Sequence, residues 1–168
     1  MVGAARNVGV VVRDARPDDF DEIAELSVRA FREIFEELGD YEAVLRDVAD
    51  RARQVEVLVA ELDGRPVGTV TYVPRPGPYA EGEEMDAAWV RILAVSPDYQ
   101  RRGIAAALVR ECVARARRDG RRRLLLHTSA PMQTAQRLYE RLGFRRATEL
   151  DWEGERGFWL YGYTYQID

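Results

Sequence analysis

Two arginines and a glycine stand where an apolar run gives way to an amphipathic one. The apolar run ends at Val95, a short polar stretch follows, and Arg101, Arg102 and Gly103 come directly before residues with helical periodicity. The first amides of a helix lack intrahelical acceptors and carry partial positive charge, so they attract phosphate. Gly103 has no Cβ atom to keep an anion off the backbone, and guanidinium groups add charge-assisted hydrogen bonds. The pattern predicts an anion site, with a solvated arginine-rich helix as the plain alternative.

The charge distribution favours a localised anion site over an extended basic surface. The chain has a formal net charge of −4, yet residues 14–63 carry 16 acidic residues and six arginines, and residues 101–123 carry nine arginines and two acidic residues. A basic segment in an acidic protein argues against a nucleic-acid surface, and no interleaved aromatic–basic motif accompanies it. We therefore expect a small anionic ligand and no nucleic-acid partner.

Composition bounds the class of protein and excludes several chemistries. The 168 residues are enough for one domain, 1–168, and no apolar run is long enough to cross a bilayer. There is no signal-peptide pattern, so we expect a cytoplasmic protein without a membrane partner. All 25 basic residues are arginine, which excludes a lysine Schiff base, and one cysteine with one histidine makes a Cys/His zinc site implausible, so no metal is expected.

The elements that must position this turn follow from periodicity and turn residues. A strand–helix–strand run over 89–95, 103–119 and 123–128 predicts two parallel strands joined by a crossover helix. Asp63-Gly64 predicts a hairpin between strands 55–61 and 67–73. The remaining predictions are a strand at 8–13, a helix opened by Pro17, a helix at 41–53, a loop at 74–86, a helix at 132–142, and strands near Phe144 and at 158–167.

Two motifs in this framework resemble the GNAT family of N-acetyltransferases. Leu93-Ala94-Val95 followed by Gln100, Gly103 and Ala105 is similar to the family's strand and its Gln/Arg-x-x-Gly-x-Gly/Ala turn. The segment 135–144, Ala-Gln-Arg-Leu-Tyr-Glu-Arg-Leu-Gly-Phe, is similar to the family's later helix and turn. The resemblance implies an α/β GNAT fold: a mixed central β-sheet with flanking helices and splayed central strands.

The same resemblance implies an activity and a set of site residues. It implies transfer of an acetyl group from acetyl-CoA directly to a primary amine, of a small molecule or of a peptide. By that resemblance Tyr139 protonates the departing CoA thiolate, Leu93, Ala94 and Val95 carry the pantetheine arm, and the turn binds the pyrophosphate through Gln100, Arg101, Arg102, Gly103, Ile104 and Ala105. A packed aromatic residue with no catalytic role is the alternative for Tyr139.

Two positions depart from the family pattern and leave the general base unassigned. Met132 stands where many members have asparagine, and Trp89 stands where many have a glutamate that can serve as base. An amine with a pKa near ~10 must lose a proton before it attacks. The open candidates are carboxylates and a water chain; the carboxylates are Glu33, Glu36, Glu37, Glu83, Glu84 and Asp86.

Three further features are assigned to packing or left open. Cys112 lies on the predicted core stripe of the crossover helix, and His127 lies in an apolar strand, where a satisfied structural histidine is expected rather than a base. The alternating aromatic residues of the last strand could form core, a substrate wall or the surface of a homodimer; they are Trp159, Tyr161, Tyr163 and Tyr165. A CoA-binding sensor without catalysis stays open as the alternative function.

Overall fold

The structure is a computed structural model that describes residues 9–154 and 157–168. Its contacts divide the chain into two compact units. Among the described residues, unit one contains residues 9–72 and 92–111, and unit two contains residues 73–91, 112–154 and 157–168. No helix in the described ranges is long and apolar enough to cross a membrane.

Unit one is built from an antiparallel sheet with helices that pack against it. Its strands pair in the order β1, β2, β3, all antiparallel. The elements that begin in this unit are β1 (Val11–Asp14), α1 (Phe20–Arg32), α2 (Tyr41–Arg46), α3 (Val48–Gln54), β2 (Glu56–Leu62), β3 (Arg65–Val73) and α4 (Ile104–Arg118).

Helix α1 forms because its apolar residues recur at helical spacing and one face meets the sheet. Ile23 and Ala24 of α1 pack with Val48 of α3 and with Val57 and Val59 of β2 in one buried cluster. A buried aliphatic side chain contributes about 1.5–3 kcal/mol, so this face holds the helix in place. The charged residues of α1 lie on the opposite, exposed face.

The predicted hairpin is confirmed, and two other predictions in this unit need correction. Asp63 and Gly64 have φ of 51° and 79°, the left-handed conformations that a two-residue hairpin turn requires. The helix predicted at 41–53 is two helices, because Asp47 leaves the helical region (φ −83°, ψ 61°) and its side chain accepts a hydrogen bond from the amide of Asp50. Among the described residues the first strand begins at Val11, since Gly9 and Val10 are not part of it, and Val8, where the sequence predicted the start, lies outside the described residues.

Unit two centres on β5, whose partners run in both directions. Ala87–Trp89 of β4 pairs with Arg123–Leu125 in parallel, as predicted, and β5 pairs with β8 antiparallel along its whole length. Strands β6 and β7 also pair with β8. The elements that begin in this unit are β4 (Ala87–Val95), β5 (Arg123–Ser129), α5 (Gln133–Arg141), β6 (Arg145–Arg146), β7 (Trp152–Glu153) and β8 (Trp159–Gln166).

The strands form an eight-stranded mixed sheet, mostly antiparallel, which confirms the predicted fold class. The strand order is β1-β2-β3-β4-β5-β8-β6, with β7 on β8. Within the described residues the parallel register of β4 and β5 stops at the pair Trp89–Leu125, although both strands continue. The parallel pairing of the two central strands therefore involves only the first three residues of each strand.

Sequence reasoning missed the short elements near the C-terminus. Strand β7 has two residues and was not predicted, and the strand near Phe144 is reduced to Arg145–Arg146. Two-residue strands have no measurable period, so they arise only because β8 offers a partner.

Candidate active site

The turn between β4 and α4 has the backbone conformation that its glycine suggested. A 3₁₀ turn at Pro97–Tyr99 follows β4, and α4 begins at Ile104. Arg101 and Gly103 both have left-handed backbones, with φ of 63° and 76°. Only glycine adopts such a conformation without cost, so Arg101 is held there by the surrounding turn.

This turn places several backbone amide donors side by side at the start of α4. The first intrahelical bond runs from the Ala107 amide to the Gly103 carbonyl at 3.1 Å. The amides of Ile104, Ala105 and Ala106 precede it and have no intrahelical acceptor by helix geometry. The Ile104 side chain is fully buried and anchors this end of the helix. The helix end therefore presents amides and a positive dipole, both suited to phosphate oxygens.

The arginines and glutamine of the turn are exposed, and their neighbours lie within unit one. The Arg102 guanidinium lies over the Tyr99 ring, 5.2 Å from its centroid, a cation–π contact that orients the side chain. Gln100 Nε2 donates to Glu33 Oε2 at 3.4 Å, so this base candidate lies beside the predicted phosphate turn. Arg29 of α1 pairs with Asp98 at 3.2 Å and ties the helix to the same turn.

The strand before the turn is distorted where the predicted pantetheine residues begin. Ile92 has φ of 52°, which is an outlier for a β-branched residue and interrupts the regular pleat of β4. From Ile92 onward the side chains alternate in burial: Ile92 and Ala94 are buried, whereas Leu93 and Val95 are half-buried. Leu93 and Val95 thus offer a partly open apolar strip that leads to the turn.

These residues suit the cosubstrate that the resemblance implies. Amides at a helix start and two exposed guanidinium groups match a pyrophosphate, and a half-buried apolar strand edge matches a long, uncharged arm. Among the described residues, no group of three or more histidine, cysteine, aspartate or glutamate side chains could hold a metal ion.

Tyr139 lies in unit two, in an aromatic cluster on α5 and β8. Its ring is 5.7 Å from that of Phe144 and 6.2 Å from that of Tyr163, and Phe144 packs against Tyr165 at 5.3 Å. Tyr139 is 5% exposed. Burial, followed by the nearby Cys112 and Glu81, raises the pKa of Tyr139, so its hydroxyl keeps its proton at physiological pH. Part of the aromatic face of the last strand is therefore core.

Cys112 is fully buried on α4, as its packing assignment predicted, but the expectation for His127 is only half right. His127 Nε2 lies 2.8 Å from the Leu150 carbonyl oxygen, which satisfies one ring nitrogen. Its other nitrogen, Nδ1, is buried and has no hydrogen-bond partner in the described part of the chain. Nδ1 faces Glu81 Oε1 at 3.8 Å, and Arg91 Nε lies 3.4 Å from the same oxygen. Sequence reasoning missed this group because Glu81 lies in a loop without periodicity.

The positions that depart from the family pattern are occupied by side chains that cannot replace the missing ones. Trp89 is fully buried, and a tryptophan cannot accept a proton from an amine. Met132 precedes α5, where its amide donates to the Ser129 carbonyl at 2.9 Å and its carbonyl accepts from the Gln136 amide at 3.1 Å.

The loop carboxylate Asp86, one of the candidates for the general base, pairs with Arg123 at 2.9 Å, which lowers the pKa of Asp86 and weakens it as a base.

The first turns of α5 also border an open cavity in unit two. The cavity has a volume of about 350 Å³. Its lining is polar apart from one alanine and one aromatic ring, and consists of Ala130, Gln133, Gln136, Arg137, Glu140 and Tyr161.

Comparison with known proteins agrees with the resemblance in the motifs. A "Probable N-acetyltransferase family 8 member 5" of Mus musculus is 40% identical over 88 residues, 52% of this chain and 37% of that protein. An Escherichia coli N-acetyltransferase whose name gives an alanine of a ribosomal protein as its acceptor is 39% identical over 64 residues, 38% of this chain and 43% of that enzyme. The matches thus span less than half the length of these two relatives.

Solved structures share the fold over nearly the whole chain. A crystal structure described as a putative GNAT acetyltransferase from Desulfovibrio desulfuricans has a TM-score of 0.76 at 22% identity, covering 95% of this chain and 100% of that one. A GNAT acetyltransferase from Brucella melitensis in complex with acetyl-CoA has a TM-score of 0.67 at 25% identity, covering 95% and 88%. The family model described as "Acetyltransferase (GNAT) family" matches residues 20–144. Because that match covers well over half of its residues, the chain belongs to the GNAT family of acetyltransferases.

Proposed function

We propose that this chain is an acetyl-CoA-dependent N-acetyltransferase that moves the acetyl group directly to a primary amine, with residues 1–168 acting as one domain. The observation that carries the proposal is the turn before α4. There, left-handed Arg101 and Gly103 precede a helix whose first amides have no intrahelical acceptor. Family membership and the acetyl-CoA complex of a structural neighbour support the choice of ligand.

The turn and the strand before it would bind different parts of acetyl-CoA. Acetyl-CoA, when bound, supplies the acetyl group as a thioester. Arg101, Arg102 and Gln100 would hold the pyrophosphate together with the amides that start at Gly103 and continue through Ala105. Leu93, Ala94 and Val95 would carry the pantetheine arm, with the half-buried Leu93 and Val95 excluding water from it.

Tyr139 would act where negative charge develops on the departing sulfur. Its raised pKa keeps the hydroxyl protonated, so a hydrogen-bond donor is present at every turnover. A donor in a dry site stabilises developing charge better than water does. A hydroxyl with a raised pKa gives its proton to sulfur only if another proton replaces it on the tyrosine oxygen. The attacking nitrogen can supply that replacement, because it must lose a proton when the amide forms.

The acceptor is an amine of a small molecule or of a peptide. The E. coli relative named for an alanine of a ribosomal protein supports a peptide amine, and its matched segment covers 38% of this chain. The acceptor enters the reaction as a nitrogen nucleophile, so no acyl-enzyme is needed. Cys112, which is fully buried, is not available to form one.

One observation favours a second candidate, a CoA-binding sensor without catalysis. Trp89 occupies the position where many relatives carry a glutamate base, and its side chain is fully buried. A member in which no other group replaces that base would bind acetyl-CoA without acetylating amines.

A screen of amines for release of CoA decides between the two functions. The panel contains polyamines, aminoglycosides, amino acids and peptides with free α-amines, with a thiol reagent as readout and mass spectrometry of the product. Because Cys112 is fully buried, the protein adds little thiol background. Acetylation of any amine supports the enzyme, whereas acetyl-CoA binding without acetylation of any amine in the panel supports the sensor. Absence of acetyl-CoA binding contradicts both.

A further inference from the structure

His127 lies on β5, and within the described residues one of its ring nitrogens makes a hydrogen bond and the other makes none. A carbonyl oxygen can only accept a hydrogen bond, so Nε2, 2.8 Å from the Leu150 carbonyl, must carry the hydrogen. In the neutral ring Nδ1 is then a bare acceptor. It is buried and has no hydrogen-bond partner within the described ranges, and the side chain is only 2% exposed. His127 is therefore a buried imidazole with room for one more proton at a defined atom.

The group that faces this nitrogen is a carboxylate. Glu81 Oε1 lies 3.8 Å from Nδ1, too far for a hydrogen bond and close enough for strong interaction between charges. Two acceptors that face each other in a buried place are unfavourable. A single proton on Nδ1 would replace that contact between two acceptors with an attraction between opposite charges, and a small approach of the two atoms would then form a charge-assisted hydrogen bond. The pair is built to take up one proton.

Arg91 holds the carboxylate from another direction. Its Nε lies 3.4 Å from Glu81 Oε1, and its Nη1 donates to the Tyr79 carbonyl at 3.2 Å. The Glu81 side chain is 14% exposed, whereas that of His127 is 2% exposed. A substrate can therefore reach Glu81 but not His127.

The charged surroundings favour the protonated imidazole. Burial by itself lowers the pKa of His127, but the Glu81 carboxylate, the Leu150 carbonyl and Asp151 outweigh it, so the pKa lies above the ordinary value of 6.5. Glu81 also helps to raise the pKa of Tyr139, after burial and Cys112, so its field extends to the predicted acid. The Trp152 ring also lies beside the imidazole, edge-on at 6.4 Å, and it is uncharged.

We propose that Glu81 and His127 together are the proton acceptor that prepares the amine in the acetyl transfer. Glu81 is the catalytic residue that contacts the ammonium group, and His127 is the positioning residue that stores the proton at Nδ1. The pair supplies the base that the family position occupied by Trp89 cannot. The inference rests on the proposed function.

The proton and electron balance is complete with the groups at hand. The ammonium nitrogen gives its first proton through Glu81 to His127 Nδ1 and becomes a neutral nucleophile. The nitrogen lone pair forms the new C–N bond to the acetyl carbon, the C–S bond breaks, and its electron pair stays on sulfur. Sulfur takes a proton from Tyr139, and the second nitrogen proton replaces it. The stored proton is then released to solvent, so one proton leaves per turnover.

The pair is tested first by NMR, because His127 is the single histidine of the chain. Labelled histidine gives one imidazole whose pKa can be measured by titration without any acceptor. We expect that pKa to lie above 6.5 in the wild type and to fall below 6.5 in Glu81→Gln, where burial acts without the carboxylate. Glu153→Gln, which removes an exposed carboxylate beside Trp152, is the matched control and should leave the pKa unchanged. A pKa that is the same in Glu81→Gln and the wild type overturns the pair.

Kinetics then test the role, with any acceptor that the amine screen identifies. In Glu81→Gln we expect kcat/KM to fall by ~10²-fold or more, and the rise of kcat/KM with pH to disappear, while acetyl-CoA affinity is unchanged. His127→Gln should keep measurable activity and displace the pH profile, and Glu81→Asp should restore part of the rate. A wild-type pH profile in Glu81→Gln overturns the role of Glu81 and His127 but leaves the proposed function intact. A wild type that neither binds acetyl-CoA nor acetylates an amine overturns the proposed function and this role with it.

Discussion

A Cβ atom placed on Gly68 of β3 would lie 3.0 Å from Cγ2 of Ile104, the first residue of α4. The same atom would lie 3.2 Å from Leu108 Cδ1 and 3.3 Å from the Ala94 carbonyl oxygen. The missing side chain at position 68 thus lets the start of α4 approach the sheet closely. The distance between the predicted phosphate turn and β3 therefore depends on this contact.

Gly68→Val should therefore displace the start of α4 and weaken CoA binding. Overpacking of a buried site costs about 1–3 kcal/mol, which we expect to appear as a lower melting temperature together with lower CoA affinity in calorimetry. Gly68→Val with Ile104→Ala is the relieving variant, since it removes the closest contact, and it should recover part of the stability. Full CoA affinity and an unchanged melting temperature in Gly68→Val would show that the contact does not position the turn.

Tyr139→Phe keeps the ring packing against Phe144 and Tyr163 and deletes only the hydroxyl. We expect kcat to fall by ~10²-fold or more, because general acids contribute ~10²–10⁴ in rate, while acetyl-CoA affinity is unchanged. Tyr165→Phe, which alters a half-buried tyrosine that packs on Phe144, is the control and should keep the wild-type kcat. A wild-type kcat in Tyr139→Phe would leave this residue with a packing role only.

Stability should depend on pH through Asp19, which joins β1 to the start of α1. Arg13 donates to both Asp19 carboxylate oxygens at 2.7 and 3.1 Å, and the Arg16 amide donates at 2.7 Å. The Arg13 guanidinium chiefly, with the Arg16 amide, lowers the pKa of Asp19 below its ordinary value of 3.8, although burial opposes the shift. A lowered pKa contributes stability that is present above pH 3.8 and is lost as the pH falls through the folded-state value.

Asp19→Asn should accordingly lower the free energy of unfolding by about 1–3 kcal/mol at pH 7. Denaturant unfolding at several pH values should show the gap between wild type and variant narrow below pH 4. Asp18→Asn, at an exposed neighbouring position, should change little. A gap that is constant from pH 7 to pH 3 would contradict the ionic origin of the effect.

The acceptor should carry net positive charge. Residues 14–63 hold 16 acidic residues and six arginines, and several of these carboxylates are exposed, including Glu36 and Glu37 of the segment after α1. Acidic surfaces concentrate cations, and salt weakens the effect as the Debye length shortens to ~8 Å at physiological strength. We expect KM for the best acceptor to rise with added salt, and amines with carboxylates to be poor. An anionic best acceptor, or a KM that ignores salt, would contradict this.

The parts of the fold and site that sequence predicted are those whose determinants are local. Leu93-Ala94-Val95 and Gly103 lie within one continuous segment, 93–103, so their order along the chain already specifies strand, turn and helix. Asp63-Gly64 specified its hairpin in the same way, through the left-handed backbone that those two residue types accept.

The parts that sequence did not predict depend on tertiary contacts. Glu81 and His127 are 46 positions apart, and nothing in a polar loop or an apolar strand indicates that Oε1 and Nδ1 face each other at 3.8 Å. The left-handed backbone of Ile92 contradicts the preference of a β-branched residue, so only its packing in β4 can enforce it. Asp47 divides a helical stretch because its side chain competes for the Asp50 amide, which periodicity does not report.

The turn before α4 is proposed to bind CoA through the pyrophosphate, and calorimetry with CoA on two glycine variants measures this role. Gly103 and Gly120 have nearly the same left-handed backbone, with φ of 76° and 68°; Gly103 directly precedes α4 and Gly120 follows its C-terminal end. Alanine therefore adds the same kind of backbone strain at either position, but only at Gly103 does a Cβ atom stand where the phosphate must approach. We expect Gly103→Ala to lose CoA affinity by ~10-fold or more and Gly120→Ala to bind CoA like the wild type. Equal CoA affinity in Gly103→Ala and Gly120→Ala would contradict this role.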